Sequence, residues 1–267
     1  MNYQELLNET YPLSAEQVAF FQENGFIRLK NVLPPEVLAH YERIISNRVF
    51  AENNLADVPM EERDTYQKAF IQIINIWTRD ETAKEFVFSR RLAGIASQLL
   101  GCEHIRLYHD QALYKEPFGG FTPWHADQYY WPLEKLNTCT VWIPFQETPL
   151  EMGPLAFAEK SQYYTGGRGL EISDESERVL GEEMQMYQYN EEPYELGEVS
   201  FHYGWTYHRA GANQTAKPRN VMTMIYTDDE NLVMEPIRQE QINDRNNFLP
   251  NTQAGDYPRT SLNPLLY

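Results

Sequence analysis

The sequence predicts a mainly β fold with flanking helices: an antiparallel barrel or double-sheet jelly roll behind a helical N-terminal segment. Three observations lead there. Apolar residues recur with helical period through the first hundred positions. From about residue 104 that period gives way to period-2 alternation. The alternating runs are short, are punctuated by Gly and Pro clusters, and have no helical stretch between them.

Taken in order, Ser14-Ala15-Glu16-Gln17 has the capping-box pattern and Gly25 is a stop, which predicts a first helix. "NVLPPEVLAHYERIISNRVF" follows, with a proline start and Leu38, Tyr41, Ile45 and Val49 at helical spacing. "YQKAFIQIINIW" places Phe70, Ile73, Ile74 and Trp77 on one side of another helix. "SRRLAGIASQLLG" opens on Ser, carries Leu92, Ile95, Ala96 and Leu99, and closes on Gly. Then "HIRLYHDQALYKE", "NTCTVWIPFQ", "GPLAFA", "EMQMYQY", "GEVSFHYG" and "RNVMTMIYT" all read as strands. No repeat or low-complexity linker divides the chain, so one domain is expected over 1–267. It comprises a mostly helical segment (1–103) packed on the barrel, a jelly-roll core (104–230) and a surface-wrapping tail rich in Asn, Gln and Pro (231–267).

Composition narrows the function. The 267 residues are 42% hydrophobic and 13% aromatic, with 18 Tyr and a net charge of −17. Such a charge opposes nucleic acid and anionic membranes, leaving neutral or cationic small molecules as ligands. No stretch approaches the roughly 18 apolar residues that span a bilayer. Two cysteines, Cys102 and Cys139, make no disulfide framework, and "MNYQELLNETYPLSAEQ" lacks a basic start and an apolar run. A reduced, cytoplasmic setting is expected; oligomeric state is not legible.

One stretch carries chemistry: "FTPWHADQYYW", residues 121–131. In an extended segment, residues i and i+2 point to one side, so His125 and Asp127 can reach one metal ion. Alone, a His-x-Asp does not separate a metal pair from a polar turn. A third ligand makes two histidines and one carboxylate on one face of a metal, the arrangement of non-haem iron(II) oxygenases. His202 and His208 are the candidates downstream. His208 is preferred, because it follows a strand and a Gly-Trp turn and precedes Arg219, which opens the next strand. His202 reads as a structural histidine. A buried Arg219 needs an anion, and its planar fork matches a carboxylate. Beside an iron, a dicarboxylate such as 2-oxoglutarate has the right shape.

"HDQALYKEPFGGFTPWHADQYYWP", "TVWIPFQETPLEMGPLAF" and "GEVSFHYGWTYHRAGANQTAKPRNVMTMIYT", with the helical start "LSAEQVAFFQENGFIRLKNVL", resemble the phytanoyl-CoA dioxygenase family. The ordered resemblance runs from about Ser14 to Asp228. It implies a double-stranded β-helix, which is a cupin-like jelly roll, and an iron(II)- and 2-oxoglutarate-dependent dioxygenase. His125, Asp127 and His208 match the family's iron ligands, with no catalytic residue beyond them. Arg219 matches the arginine that grips the distal carboxylate of 2-oxoglutarate. Lys115 and Trp142 fall near that cosubstrate; Lys115 also shares strand parity with His109, Gln111 and Leu113. A family serine two residues after the distal histidine is replaced by Ala210, with Thr122 or Gln111 as candidates to supply the missing contact. A Pro-Gly-Ser-His stretch is replaced by "AEKSQ", residues 158–162. Asp127 fills the position that related halogenases leave open for chloride, which favours hydroxylation, or a related desaturation or ring closure, by O2.

For substrate, Gln128, Tyr129, Tyr130 and Trp131 follow the ligand pair, and Trp205 and Tyr207 flank the third ligand. Gln128, Tyr129, Trp131 and Trp205 are the candidate contacts. No basic cluster awaits a coenzyme A ester, so a modest-sized metabolite or natural-product intermediate is expected. Two rivals remain at this point: a zinc or manganese barrel enzyme, which has no use for Arg219, and a non-catalytic metal-binding or sensing protein on the same fold.

Overall fold

The computed structural model describes residues 2–267. Before the barrel come α1 (Tyr3–Asn8), α2 (Ala15–Asn24), β1 (Phe26–Leu29), α3 (Pro35–Glu52), α4 (Thr65–Ala69), β2 (Ile71–Ile74), α5 (Glu81–Val87) and α6 (Arg90–Leu100). The barrel region holds β3 (Ile105–Tyr114), β4 (Thr122–His125), β5 (Thr138–Pro144), β6 (Leu155–Ala158), α7 (Asp174–Glu183) and β7 (Tyr189–Glu191). It continues with β8 (Val199–Tyr203), β9 (His208–Ala210) and β10 (Val221–Asp228), and α8 (Gln239–Phe248) follows. Two sheets face each other: one of six strands in the order β1-β8-β5-β10-β3-β2, one of four in the order β4-β9-β6-β7. Every pairing between named strands is antiparallel, so the expected jelly roll is present.

The caps form as the sequence requires. Ser14 and Gln17 exchange the reciprocal bonds of a capping box, and Gly25 ends α2 at φ 86°, a left-handed conformation that glycine adopts without strain. Strand alternation then sorts the six-stranded sheet into two faces. Leu107, Ala112, Val141, Ile143, Val199, Phe201, Met222 and Met224 point outward and merge with Leu38, Tyr41, Ile45, Leu92, Ile95 and Leu99 from α3 and α6 in the main core. The opposite face turns the intervening residues into the barrel. Cross-strand register aligns them in rows: His109, Ile225, Thr140 and His202 in one, and Gln111, Thr223, Trp142 and Ser200 in the next.

The structure corrects three sequence-based expectations. "YQKAFIQIINIW" is a short helix followed by strand β2, because the β-branched run Ile71-Gln72-Ile73-Ile74 favours an extended backbone at the sheet edge. β1 caps the other edge, so the segment 1–103 completes the sheet as well as covering it. "EMQMYQY" is not a strand: the end of α7 runs into a 3-10 turn over Met184–Met186, and β7 begins only at Tyr189. Finally, residues 231–267 do more than wrap the surface. α8 inserts Phe248 against His109, and the last residues bond to the start of β3 through Ile105 and Leu107.

Candidate metal centre and cofactor cavity

β4 and β9 are cross-strand neighbours, and their register pairs His125 with His208. One extra residue lies in β4 between Thr122 and His125, where Pro123 has no N–H to give the ladder. The Pro123 carbonyl instead accepts Nδ1–H of His125 at 2.7 Å. His208 Nδ1–H donates to the Thr206 carbonyl at 2.9 Å. A carbonyl can only accept, so both rings carry the proton on Nδ1 and present the Nε2 lone pair. Burial lowers the pKa of each and keeps both rings neutral.

Ala126 continues the extended backbone, and Asp127 then starts a 3-10 turn, anchored where Gln128 N–H donates to the Gly204 carbonyl at 2.8 Å. His125 Nε2 and His208 Nε2 each stand 3.6 Å from the same oxygen, Asp127 Oδ1. Ligand atoms of the three residues lie within 4.8 Å of one another. A single divalent ion with bonds of roughly 2–2.2 Å bridges such a spacing. The other carboxylate oxygen is already engaged: Oδ2 accepts from Thr140 Oγ1 at 2.7 Å and from His202 Nε2 at 3.1 Å. Burial pushes the Asp127 carboxyl up, but the pull of the His208, His202 and His125 cluster, whichever ring takes a proton, together with the His202 hydrogen bond, outweighs it and holds the group well below the ordinary carboxylate range. The donor set is two neutral imidazoles and one ionised carboxylate with one oxygen free, and it fits iron(II). His202 uses Nε2 on the carboxylate and directs no lone pair to the centre.

These residues line a cavity of about 220 Å³ between the sheets. Thr122, Gln111, Trp142 and Arg219 line it too. Arg219 is buried; it gives one bond, to the Gly153 carbonyl at 2.5 Å, and its Nε has no partner. Its guanidinium carbon sits 5.4 Å from the Trp142 ring centre. Burial brings its pKa down to about 10, so it stays charged at neutral pH. No carboxylate pairs with it among the described residues, which makes it a ready partner for an anion. Gly153 is positioned for the contact: at φ 70° a side chain would meet the Gly211 carbonyl. Lys115, by contrast, is buried without lining the cavity. Its ammonium turns to the Gly120 carbonyl and, at 3.5 Å, to the Thr122 hydroxyl. Burial, with Arg219 nearby, drives its pKa far down. Register pairs Thr122 with Ala210, so a hydroxyl stands directly across from the position that lacks one.

Of the expected substrate contacts, Trp131 lines the cavity; Gln128, Tyr129 and Trp205 do not. Gln128 is spent inside the fold, bonded to Thr138 and to the Leu133 carbonyl. Tyr129 is buried beneath the Arg238 guanidinium, and Trp205 lies under that of Arg168. The far end is built instead by Tyr66, Tyr130, Ile172, Asp244, Asn247 and Phe248. Strand parity turns Thr140 and His202 inward but does not make them neighbours, which depends on β5 lying beside β8; nothing in the local sequence marks Asp244.

Known proteins share the family pattern and the fold. A family model for phytanoyl-CoA dioxygenase matches residues 21–221. An ectoine dioxygenase from Nocardia farcinica is 25% identical over 121 residues, 45% of this chain and 40% of that protein's own length, so the match spans less than half of the relative. Among solved structures, the non-haem α-ketoglutarate-dependent carbocyclase SnoK from nogalamycin biosynthesis superposes with a TM-score of 0.77 at 23% identity, covering 95% of this chain and 96% of the other. The enzyme EctD from S. alaskensis, solved with 2-oxoglutarate and 5-hydroxyectoine, gives 0.72 at 22% identity over 95% and 90%. At these identities the superpositions establish a shared fold.

Proposed function

The chain belongs to the phytanoyl-CoA dioxygenase family of iron(II)- and 2-oxoglutarate-dependent oxygenases, and from that premise we propose that it oxidises an unactivated C–H bond of a small molecule, most simply by hydroxylation. His125, Asp127 and His208 hold iron(II), and Arg219 binds the distal carboxylate of 2-oxoglutarate. One observation carries the reading: two imidazoles oriented by their own strands converge on one free carboxylate oxygen, in the same cavity as a buried arginine without an acid.

Bound together, iron(II) and 2-oxoglutarate supply the activation of O2, with one oxygen atom passing to the substrate and the other to succinate as CO2 is released. The chain's part is to position and to shield. Thr140 and His202 hold Asp127 Oδ2, so that Oδ1 alone would be offered to the metal beside His125 and His208. Thr122 and Gln111 offer hydrogen bonds along the cosubstrate, the hydroxyl of Thr122 standing in for the one Ala210 lacks. Trp142 packs beside the arginine and keeps water from it. A zinc or manganese hydrolase has no use for an unpaired buried Arg219, which argues against that rival. With both cysteines buried and unpaired, a reduced cytoplasmic setting suits the chain, and among the described residues no helix is long and apolar enough to cross a membrane.

Anaerobic addition of iron(II) and then 2-oxoglutarate should develop a weak visible charge-transfer band, and admitting air should yield succinate slowly even without substrate. Absence of both signals in folded protein would refute the assignment.

A further inference from the structure

We propose that the outer end of the cavity is a receptor for a cationic group of the substrate, a protonated amine or quaternary ammonium, with the Asp244 carboxylate as counter-ion and Tyr66, Tyr130, Trp131 and Phe248 as its aromatic wall. This deepens the oxygenase reading and rests on it for the location of the reacting C–H bond.

The observation behind it is a carboxyl group with no cation. Asp244 lines the cavity from α8, together with Asn247 and Phe248 three and four positions on, the spacing of one helix face. Its Oδ2 accepts from the Tyr108 hydroxyl at 2.6 Å. No basic group acts on it among the described residues; Arg245, next along the chain, turns instead toward Glu235 at 3.9 Å. The fold goes to some length to place this acid. β3 carries a bulge against β10, where Leu107 and His109 pair with successive residues and Tyr108 is left over. Tyr108 and His109 therefore both reach α8: Tyr108 bonds Asp244, and the His109 ring stacks on Phe248 with centroids 4.2 Å apart.

Charge decides the class of ligand. At the inner end the expected occupants balance, because a ferrous ion and Arg219 offset Asp127 and a dicarboxylate. Lys115 lies outside the cavity lining, its amine turned to the Gly120 carbonyl, and burial drives its pKa far down. His109 is neutral as well, its pKa brought down to about 4 by burial. Among the residues that line the cavity, Asp244 is the acid left without an opposite charge. Left without a partner, the Asp244 carboxyl is pushed up to about 7 by burial and is only partly ionised at neutral pH; a cation there holds it ionised and gains both the ion pair and the ring faces. An anionic ligand would meet Asp244 inside a chain of net charge −17.

Three probes of one shape and different charge test this: benzylamine, benzyl alcohol and benzoate, titrated calorimetrically at neutral pH. Each is added to metal-free protein and to protein loaded with iron(II) and 2-oxoglutarate under nitrogen. Benzylammonium should bind roughly ten-fold more tightly than the alcohol, with benzoate weakest. Asp244→Asn should bring benzylammonium down to the alcohol's affinity while the 2-oxoglutarate band persists, and Asp244→Glu should keep part of the preference. The inference is overturned if benzylammonium shows no saturable binding, if alcohol or benzoate matches it, or if folded Asp244→Asn keeps the preference. Should the asparagine variant not fold, the wild-type ranking and the glutamate variant decide. Loss of the 2-oxoglutarate band in the wild-type protein would instead indict the oxygenase reading, with the metal-free titrations still reading the cation site.

Discussion

The two ends of the cavity are built by different means. At the inner end the metal ligands and their partners belong to the barrel's strands or the turn directly after one, and Arg219 stands just ahead of β10, bridged to Lys115: His125 and His208 are cross-strand partners, and Thr140 and His202 are partners on the facing sheet. Each imidazole is oriented by a carbonyl two residues before it. At the outer end, Tyr66 comes from α4, Ile172 from the approach to α7, and Asp244, Asn247 and Phe248 from α8, all outside the strands. The contrast separates two tasks. Chemistry rests on elements that cannot shift without breaking the ladder, while recognition rests on attachments that can vary over an unchanged barrel.

That division is most severely tested at the metal. Asp127→Ala removes the oxygen on which both imidazoles converge, so it should abolish the charge-transfer band and succinate formation together. The loss should exceed the ten- to hundred-fold typical of supporting residues. An unchanged iron affinity by anaerobic titration would show that the three side chains do not share an ion. Next in size, Arg219→Ala should weaken 2-oxoglutarate by about 2–3 kcal/mol, roughly 30- to 150-fold, and leave iron binding alone. Arg219→Lys should recover part of that, since a point charge lacks the two-pronged fit. Equal 2-oxoglutarate affinity in all three proteins would remove the arginine from the site. Thr140→Val, which strips one of two partners from Asp127 Oδ2, should cost iron affinity ten- to a hundred-fold while the barrel melts nearly as before.

The same division governs how much could be read from sequence. His125 and Asp127 were legible because i and i+2 share a side of extended chain, and Ala126 is extended as that argument needs. Arg219 was singled out by the family resemblance, since its burial has no local signature; the structure buries it with no acid beside it among the described residues. Thr140 and His202 were not, since their partnership depends on β5 lying beside β8, a neighbour relation no local pattern encodes. β2 was misread because Phe70, Ile73, Ile74 and Trp77 satisfy helical spacing, and only their β-branched content argues otherwise. α8 escaped notice for a plainer reason: it is Asn- and Gln-rich, has no capping side chain at its start, and buries little beyond Gln241 and Phe248. Gln128, Tyr129 and Trp205 lie outside the cavity lining, for adjacency to a ligand along the chain is not adjacency to its cavity.

The smallest predicted effect concerns the outer end alone. Burial raises the Asp244 carboxyl to about 7, with the Tyr108 bond pulling the other way and not enough. In the unfolded chain the group ionises near 4. Between those values the folded protein keeps a proton that the unfolded chain has released, so this residue makes stability fall as pH rises from about 4 to about 7, and the penalty is complete above that. Its neighbours do not share the titration: burial keeps the Tyr66 and Tyr108 phenols protonated and His109 neutral above about 4. Asp110, raised to about 7 by burial on the sheet's outer face, has the same sign but is common to wild type and variant and cancels. Metal-free Asp244→Asn should therefore melt above wild type at pH 8 by about 1–2 kcal/mol, or roughly 2–8 °C, with the gap closing toward pH 4.5. Benzylamine should narrow the gap at pH 8 by stabilising only the aspartate form. A gap that ignores pH, or that widens with benzylamine, would mean that the carboxyl is solvated rather than waiting for a cation, and would merge the two ends of the cavity into one.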